Sequence, residues 1–470
     1  MRIIVVGGGI AGLGTALACA RDGHEVVVLE RDDTPMPPDA DAAFEWRRRG
    51  APQVRHSHAF LARLRNLLRD RAPDVLDALV AAGATEIPFT ENLPETLTDR
   101  GPRPGDEELV ALACRRTTFE WVLRRLVLAE PLVEIRHGVA AASLDARRAS
   151  VPRITGVDGV DAGLVVDARG PRSSSDEWLA AAGAPPVREE LHESGIVYFS
   201  RFYRVRDGFE EPEYVGPTAA DLGYLKFAIF LGDNRTFSIT YAVESDDDQF
   251  RYALADPVAF ETVARSIVAT APWRVEGASD PITDVHVMAG LRNRYRPLVD
   301  ADGDPLVHGF VAAGDAAVCT NPLYGRGCSL GVVHAFGLAD ALHANDHDLD
   351  AFAREFAAFT ERELVPWYRS AVVQDAQARA LHEELPAEDP RSFMQAVFRE
   401  GLLPALRTSP VVFRAFLRWF NLLAMPDALM ADPEIVAEVL AAYEDRANRP
   451  GPPVLGPDRE AMVRLLSVGE

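Results

Sequence analysis

Two clusters of residues, far apart in the chain, carry recognisable chemistry. The first is Gly7, Gly9 and Gly12 in the pattern G-x-G-x-x-G, with Ala11 inside it and Glu30 and Arg31 beyond. The first glycine allows a tight turn, the second lets a pyrophosphate approach the backbone, and the third lets the following helix pack closely on the strand. A carboxylate about 20 residues further on is placed to accept both hydroxyls of an adenosine ribose. Glu30 stands there, and its charge would repel a 2′-phosphate, so NADP is a poor ligand for this motif. The second cluster is Gly314-Asp315, followed by Asn321, Pro322, Gly325 and Gly327. An acid at the end of a buried strand, then a glycine loop opening a helix, suits the carboxyl edge of a doubly wound sheet. There the free helix amides face whatever Asp315 touches.

Other residues are candidates with two readings each. Arg116 stands at a strand-to-helix junction, where a long cation reaches back towards a phosphate; the alternative is a surface ion pair. The loop Arg47-Arg48-Arg49-Gly50 either lies against a bound cofactor, with Arg49 as the contact, or is a solvated basic loop. His56 and His58, one residue apart, share a face in extended chain and are candidate proton carriers or structural imidazoles. The turn Asp167-Ala168-Arg169-Gly170 suits anion binding.

These residues need elements to hold them. An apolar run at Ile3–Val6, a helix to about Arg21, and a second run at Val26–Leu29 make a βαβ unit. Further strands are predicted at 109–114, 133–144, 154–160, 164–166 and 310–313, and amphipathic helices between 59 and 82 and after Cys114. The segments 195–205, 223–231 and 236–243 are rich in aromatic and β-branched residues between turn formers, which predicts an antiparallel sheet. Its apolar face, with Phe227 and Tyr241, is either the floor of a substrate pocket or core beneath helices; Arg201 and Tyr203 join those two as pocket candidates. The chain from Leu349 onward reads as helical, with Pro366, Pro390, Pro410 and Pro433 at helix starts. Its apolar stretch Val411–Met430 suits packing on the body better than a pocket cap, a dimer contact or a membrane contact.

The 470 residues exceed one core, and 48% hydrophobic with 26% charged residues is ordinary for a soluble protein. A net charge of −22 argues against nucleic acid or anionic lipid as partner. Cys19, Cys114, Cys319 and Cys328 lack metal-site spacing, so reduced thiols and no metal are expected. With the first strand starting at residue 2 or 3 and no membrane-spanning apolar run, a cytoplasmic location is the expectation.

The two glycine clusters together resemble the FAD-dependent monooxygenases of the p-hydroxybenzoate hydroxylase fold. That resemblance implies an α/β protein: a Rossmann-like FAD-binding domain in two parts (1–185 and 285–345), an inserted antiparallel β-sheet substrate domain (186–284), and a helical C-terminal region (346–470). It maps Gly7, Gly9, Gly12 and Glu30 to the ADP half of FAD. Arg116, Phe119 and Glu120 map to a cofactor-contacting junction, Asp315 to the ribityl chain, and Pro322, Gly325 and Gly327 to the flavin side. It implies transfer of one oxygen atom from a flavin hydroperoxide to a small apolar or aromatic substrate, by epoxidation or hydroxylation, with NAD(P)H as electron source directly or through a separate flavin reductase. Two departures matter. The family's Asp-Gly pair is replaced by Asp167-Ala168-Arg169-Gly170, closer to flavin epoxidases and halogenases, which puts direct NADPH use in doubt. The stretch Gly50-Ala51-Pro52-Gln53 with His56 and His58 is similar to bacterial olefin epoxidases. Halogenation is disfavoured, since the chain's one lysine is Lys226 and halogenases need one in the N-terminal half. A reductase of the geranylgeranyl-reductase type and a non-catalytic carrier of apolar ligands share the same outline.

Overall fold

The computed structural model describes residues 1–467 apart from 92, 213, 346–347, 381–385 and 387. The expected start of the C-terminal region, at 346, falls outside the described residues.

The chain opens as the glycine pattern requires. Strand β1 (Arg2–Val6) leads into helix α1 (Ile10–Arg21), which returns to β2 (Glu25–Glu30). Then β3 (Val110–Ala113) hands the chain to α2 (Arg116–Ala129), and β4 (Val133–His137) and β5 (Leu164–Asp167) complete the first pass. The antiparallel segment supplies β6 (Ile196–Val205), β7 (Lys226–Leu231) and β8 (Thr236–Glu244), followed by helix α3 (Pro257–Ser266). Finally β9 (Phe310–Ala312) and α4 (Gly327–Ala344) return to the first sheet.

That first sheet runs β9-β5-β1-β2-β4, all parallel. Most of its strands are apolar along their length because both faces are covered. On one face α1 and α4 pack so closely that a Cβ on Gly14 would stand 3.2 Å from that of Ala335. Register decides the site: Val6 pairs with Asp167, and Asp167 with Ala312. The carboxyl ends of β1, β5 and β9 therefore set Gly7, Asp167 and the Gly314 turn side by side, although the chain separates them widely.

The second sheet runs from Ala219–Asp221 through β7, β8 and β6 to Ser279–Pro281, antiparallel throughout. Alternation along its strands gives two unlike faces. Tyr203, Phe227, Ile229, Phe237, Ile239 and Tyr241 point to the side where Phe250, Phe260, Val263, Trp273 and Met462 close over them. Ser200, Phe202, Ser238 and Thr240 point the other way.

Three expected elements differ. The strand expected over 133–144 stops at His137, because Gly138 turns the backbone to a φ of +71°. The strand expected over 154–160 is a hairpin, broken where Asp158 and Gly159 both take positive φ. The C-terminal region holds helices α5 (Leu349–Glu363), α6 (Val365–Ala380) and α7 (Pro410–Phe420), and all four prolines lie in first turns. Residues 449–458 are nevertheless irregular rather than helical. The apolar stretch around α7 packs on the body, with Leu422 beside Trp367 and the Asn421 Oδ1 accepting the Ala62 N–H at 3.0 Å. Among the described residues no helix is long and apolar enough to cross a membrane.

Candidate functional site

The glycines of the first motif sit as three different jobs require. Gly7 has a φ of +111°, and a Cβ there would meet the Ala168 carbonyl oxygen at 2.6 Å. One on Gly12 would collide with the Gly7 carbonyl oxygen, whereas one on Gly9 would meet nothing within 4 Å. Gly9 thus leaves its backbone open to a ligand at the N-terminus of α1.

Beneath this loop lies a closed network of charges. Glu30 accepts the Gly8 N–H at 3.2 Å, the Asp32 N–H at 2.9 Å and Arg48 Nη2 at 2.9 Å. With about four acceptor positions on a carboxylate, one is left. The expectation that Glu30 takes both ribose hydroxyls is corrected accordingly: it has room for a single further donor. Glu120 takes Arg48 Nε at 2.6 Å and Arg116 Nη2 at 3.2 Å, with Arg124 at 3.6 Å. Burial alone would raise the Glu120 pKa, but Arg48, Arg116 and Arg124 outweigh it and bring it down to about 2. Arg48 and Arg124 also both donate to the Gly8 carbonyl, fixing that peptide's direction.

The basic loop therefore turns inward, through a different residue from the one expected. Arg48 is only 6% exposed, while Arg49 and Arg31 are exposed. Three successive arginines give no sequence signal for which one points in; Glu30, Asp32 and Glu120 hold Arg48, and the Trp46 ring lies 5.0 Å from its guanidinium. Asp167 is fully buried and committed to Arg169 and the Ser173 hydroxyl.

The second cluster closes on the first. Gly314, at a φ of +59°, would set a Cβ 2.6 Å from that of Ala11, so the two motifs touch backbone to side chain. Its N–H donates to His334 Nδ1 at 3.0 Å, and His334 Nε2 lies 2.9 Å from the Thr360 hydroxyl. Thr360 donates to Phe356 O, so its oxygen is free to accept and the imidazole carries its proton on Nε2. Burial holds His334 neutral, its pKa brought down to about 3. Beside this turn, the Asp315 carboxyl is pushed up to about 6 by burial, against the opposing pull of Arg116 and Arg294. It accepts no hydrogen bond from the described residues, which makes it the open acceptor of the cleft. The loop Pro322–Gly325 follows, with Gly325 at a φ of +64° and against Ala59. Asn321 anchors it, its Oδ1 accepting Tyr198 Oη at 3.0 Å and its Nδ2 donating to Asp375 at 2.8 Å.

The sheet face that looks toward this cleft is the hydroxyl-bearing one. Arg201, Tyr203, Phe227 and Tyr241, expected as pocket residues, are corrected: they lie on the far face beneath α3. Arg201 and Tyr203 both bond Glu261 of that helix at 2.9 Å, and Tyr241 packs on Phe260. On the near face a row of hydroxyls runs Ser238–Ser57–Thr240–Ser200, at 2.7, 2.6 and 2.9 Å, and ends 3.4 Å from His56 Nδ1. His56 is held down to about 4 by burial and then by His286, and His58 to about 3 by burial and Arg116; His58 Nδ1 bonds the His56 carbonyl. Ser200, Ser238 and Thr240 were legible as the alternate positions of apolar strands, but nothing local said that the polar side faced in.

The donors and shapes fit FAD. Gly9 is open at a helix N-terminus, Asp315 is an acceptor lacking a donor among the described residues, and Arg116 Nη1 reaches the Cys328 sulfur in the first turn of α4 at 3.2 Å. A family model for FAD dependent oxidoreductases matches residues 2–89. Protein Rv3254 of Mycobacterium tuberculosis is 28% identical over 92% of this chain and 91% of its own length. The 6-hydroxy-3-succinoylpyridine 3-monooxygenase HspB of Pseudomonas putida is 26% identical over 74% of this chain and 80% of its own. Among solved structures, p-nitrophenol 4-monooxygenase PnpA of Pseudomonas putida superposes with a TM-score of 0.58 at 16% identity, covering 90% of this chain and 98% of that one. PqsL of Pseudomonas aeruginosa does so at 0.57 and 16%, covering 82% and 97%. The family match thus covers the first βαβ unit and the chain after it to residue 89, and the solved structures share this chain's fold.

Proposed function

We propose that this chain is an FAD-dependent monooxygenase that inserts one oxygen atom into a small aromatic substrate carrying a ring hydroxyl. The observation that carries the reading is the junction of two half-sites. The Gly314 turn locks against Ala11 and leaves Asp315 as an open acceptor beside the N-terminus of α4, where a Cβ on Gly327 would stand 3.8 Å from its Oδ1. Bound FAD would supply two-electron reduction and the activation of molecular oxygen. Gly7, Gly9, Ala11, Gly12 and Arg116 would hold its phosphates, Glu30 one ribose hydroxyl, Asp315 its polyol chain, and Pro322, Gly325 and Gly327 its ring.

The protein's own groups then have defined tasks. Ser200 and Thr240 hydrogen-bond the substrate hydroxyl. His56, kept neutral at pH 7 by burial and by His286, is too weak a base to hold the substrate hydroxyl's proton and instead orients the Ser200 hydroxyl from Nδ1, 3.4 Å away. The loop 56–60 lies between sheet and flavin loop and excludes water. A hydroxyl-lined face supports a ring bearing a polar group over a plain alkene, and HspB, by its name, acts on a hydroxylated pyridine. Electrons would come from NAD(P)H, directly or through a flavin reductase, since Asp167 is already bound to Arg169 and Ser173. The test is to purify the protein, read its visible spectrum after incubation with FAD, and follow NADH and NADPH oxidation under oxygen with hydroxylated and alkene substrates. A colourless protein overturns the reading, and oxidation of alkenes alone overturns the substrate class.

A further inference from the structure

The turn that carries Asp315 is held from behind by a side chain from a different element. The Asp315 carboxyl accepts no hydrogen bond from the described residues, so its direction is inherited from the backbone of the turn. That backbone has few anchors. The Ala313 N–H donates to Asp167 O at 2.9 Å and the Ala317 N–H to Gly314 O at 3.0 Å, while Arg294 Nη2 approaches Asp315 O at 3.4 Å. The Gly314 N–H, which the φ of +59° points away from the strand ladder, donates at 3.0 Å to His334 Nδ1, twenty residues on in α4.

A polar ring is costly where His334 stands. It is fully buried, stacked on Phe356 at 4.5 Å and on Phe359 at 6.4 Å, and its neighbours Val332, Val333, Ala335 and Phe336 are buried and apolar. A hydrocarbon side chain would fill the place with no loss of hydration. What the imidazole adds is an acceptor and a donor on two sides of one ring. The bonds run in a single direction, from the Gly314 N–H to His334, from His334 Nε2–H to the Thr360 hydroxyl, and from that hydroxyl to Phe356 O of α5. Every member is satisfied, and only with the proton on Nε2. A proton on Nδ1 would set one donor against another at Gly314.

We propose that His334 is a positioning residue for FAD, which by accepting the Gly314 N–H aims Asp315 at the cofactor's polyol chain. This rests on the FAD reading above. Without that acceptor the buried Gly314 N–H has to turn toward another partner, and the Asp315 carboxyl turns with it. His334 acts only through the turn. Through Thr360 and Phe356, α5 of the C-terminal region takes part in holding the cofactor.

The test is the FAD dissociation constant at pH 7.5, read from the flavin fluorescence as apoprotein is titrated into FAD. His334→Leu is expected to weaken binding about tenfold. His334→Asn keeps an acceptor oxygen near the place of Nδ1 and should stay within about threefold of the parent. In the Asp315→Asn protein, adding His334→Leu should cost no more than a further factor of about two, because both changes remove one contact. A His334→Leu protein that binds FAD as the parent does overturns the proposal alone. So does an Asn variant as weak as the Leu variant, or a double variant whose two losses multiply, since either assigns the effect to packing. If His334→Leu does not fold, His334→Val, which is smaller than the imidazole, is read in the same way. A parent protein that takes up no FAD overturns the FAD reading and this proposal together.

Discussion

Beneath the Gly7–Gly12 loop, Glu30 and Glu120 share the buried Arg48 and Arg124, and Glu120 also holds Arg116. Around the Gly314–Gly327 loop, Asp315 accepts no hydrogen bond from the described residues. The first loop is electrostatically complete within the protein, and the second is completed only by what binds to it. Completeness makes the first a matter of stability, since removing one partner strands the others. Incompleteness makes the second a matter of affinity and reactivity.

The contrast can be broken most sharply at its closed end. Glu120→Leu would leave Arg48, Arg116 and Arg124 short of a common acceptor, and should cost about 3–5 kcal/mol in urea unfolding; a loss under 1 kcal/mol would show the network to be dispensable. Gly314→Ala comes next. Its Cβ would crowd Ala11 at an unfavourable φ, so a loss of about 1–3 kcal/mol is expected, with weaker FAD binding because the two half-sites are forced apart. Asp315→Asn should separate stability from affinity. Its folded pKa of about 6 stands above the unfolded value of 3.8, so ionisation destabilises the fold as pH rises through 6. The Asn variant should then be no less stable than the parent at pH 7.5, while FAD affinity falls at least roughly tenfold; a destabilised variant would place Asp315 with the closed network.

A pH series sharpens the same contrast. His56, His58 and His334 have folded pKa values below the ordinary 6.5, so the unfolded chain takes up protons first. Stability should begin to fall below pH 6.5, with each group contributing a slope of up to about 1.4 kcal/mol per pH unit until its folded pKa is reached. His334→Gln should flatten that limb in denaturation curves at pH 7.5, 6 and 5. The smallest effect is expected on the far face of the second sheet. Tyr203→Phe should leave kcat/KM within about twofold, whereas Ser200→Ala or His56→Gln should lower it by more; equal effects on both faces would mean that the hydroxyl row does not line the site.

Much of this is legible in the sequence. The βαβ unit, the Gly314-Asp315 turn, the antiparallel sheet and the proline-started helices were all written in local patterns. Glu120 and Arg116 were visible at a helix start. His334 was hidden inside an apolar helix.

What the chain alone determined follows from short-range sterics and periodicity. Glycine stands where a Cβ has no room, apolar runs bury as strands, and alternation splits a strand into two faces. What only the tertiary structure decided is orientation. Alternation separates Tyr203 from Ser200, but it does not say which looks at the cofactor. That choice fell to α3 and Met462, which cover one face with hydrocarbon and leave the hydroxyls to the cleft. The same holds for Arg48 over Arg49: the inward residue is the one for which buried carboxylates from remote parts of the chain were waiting.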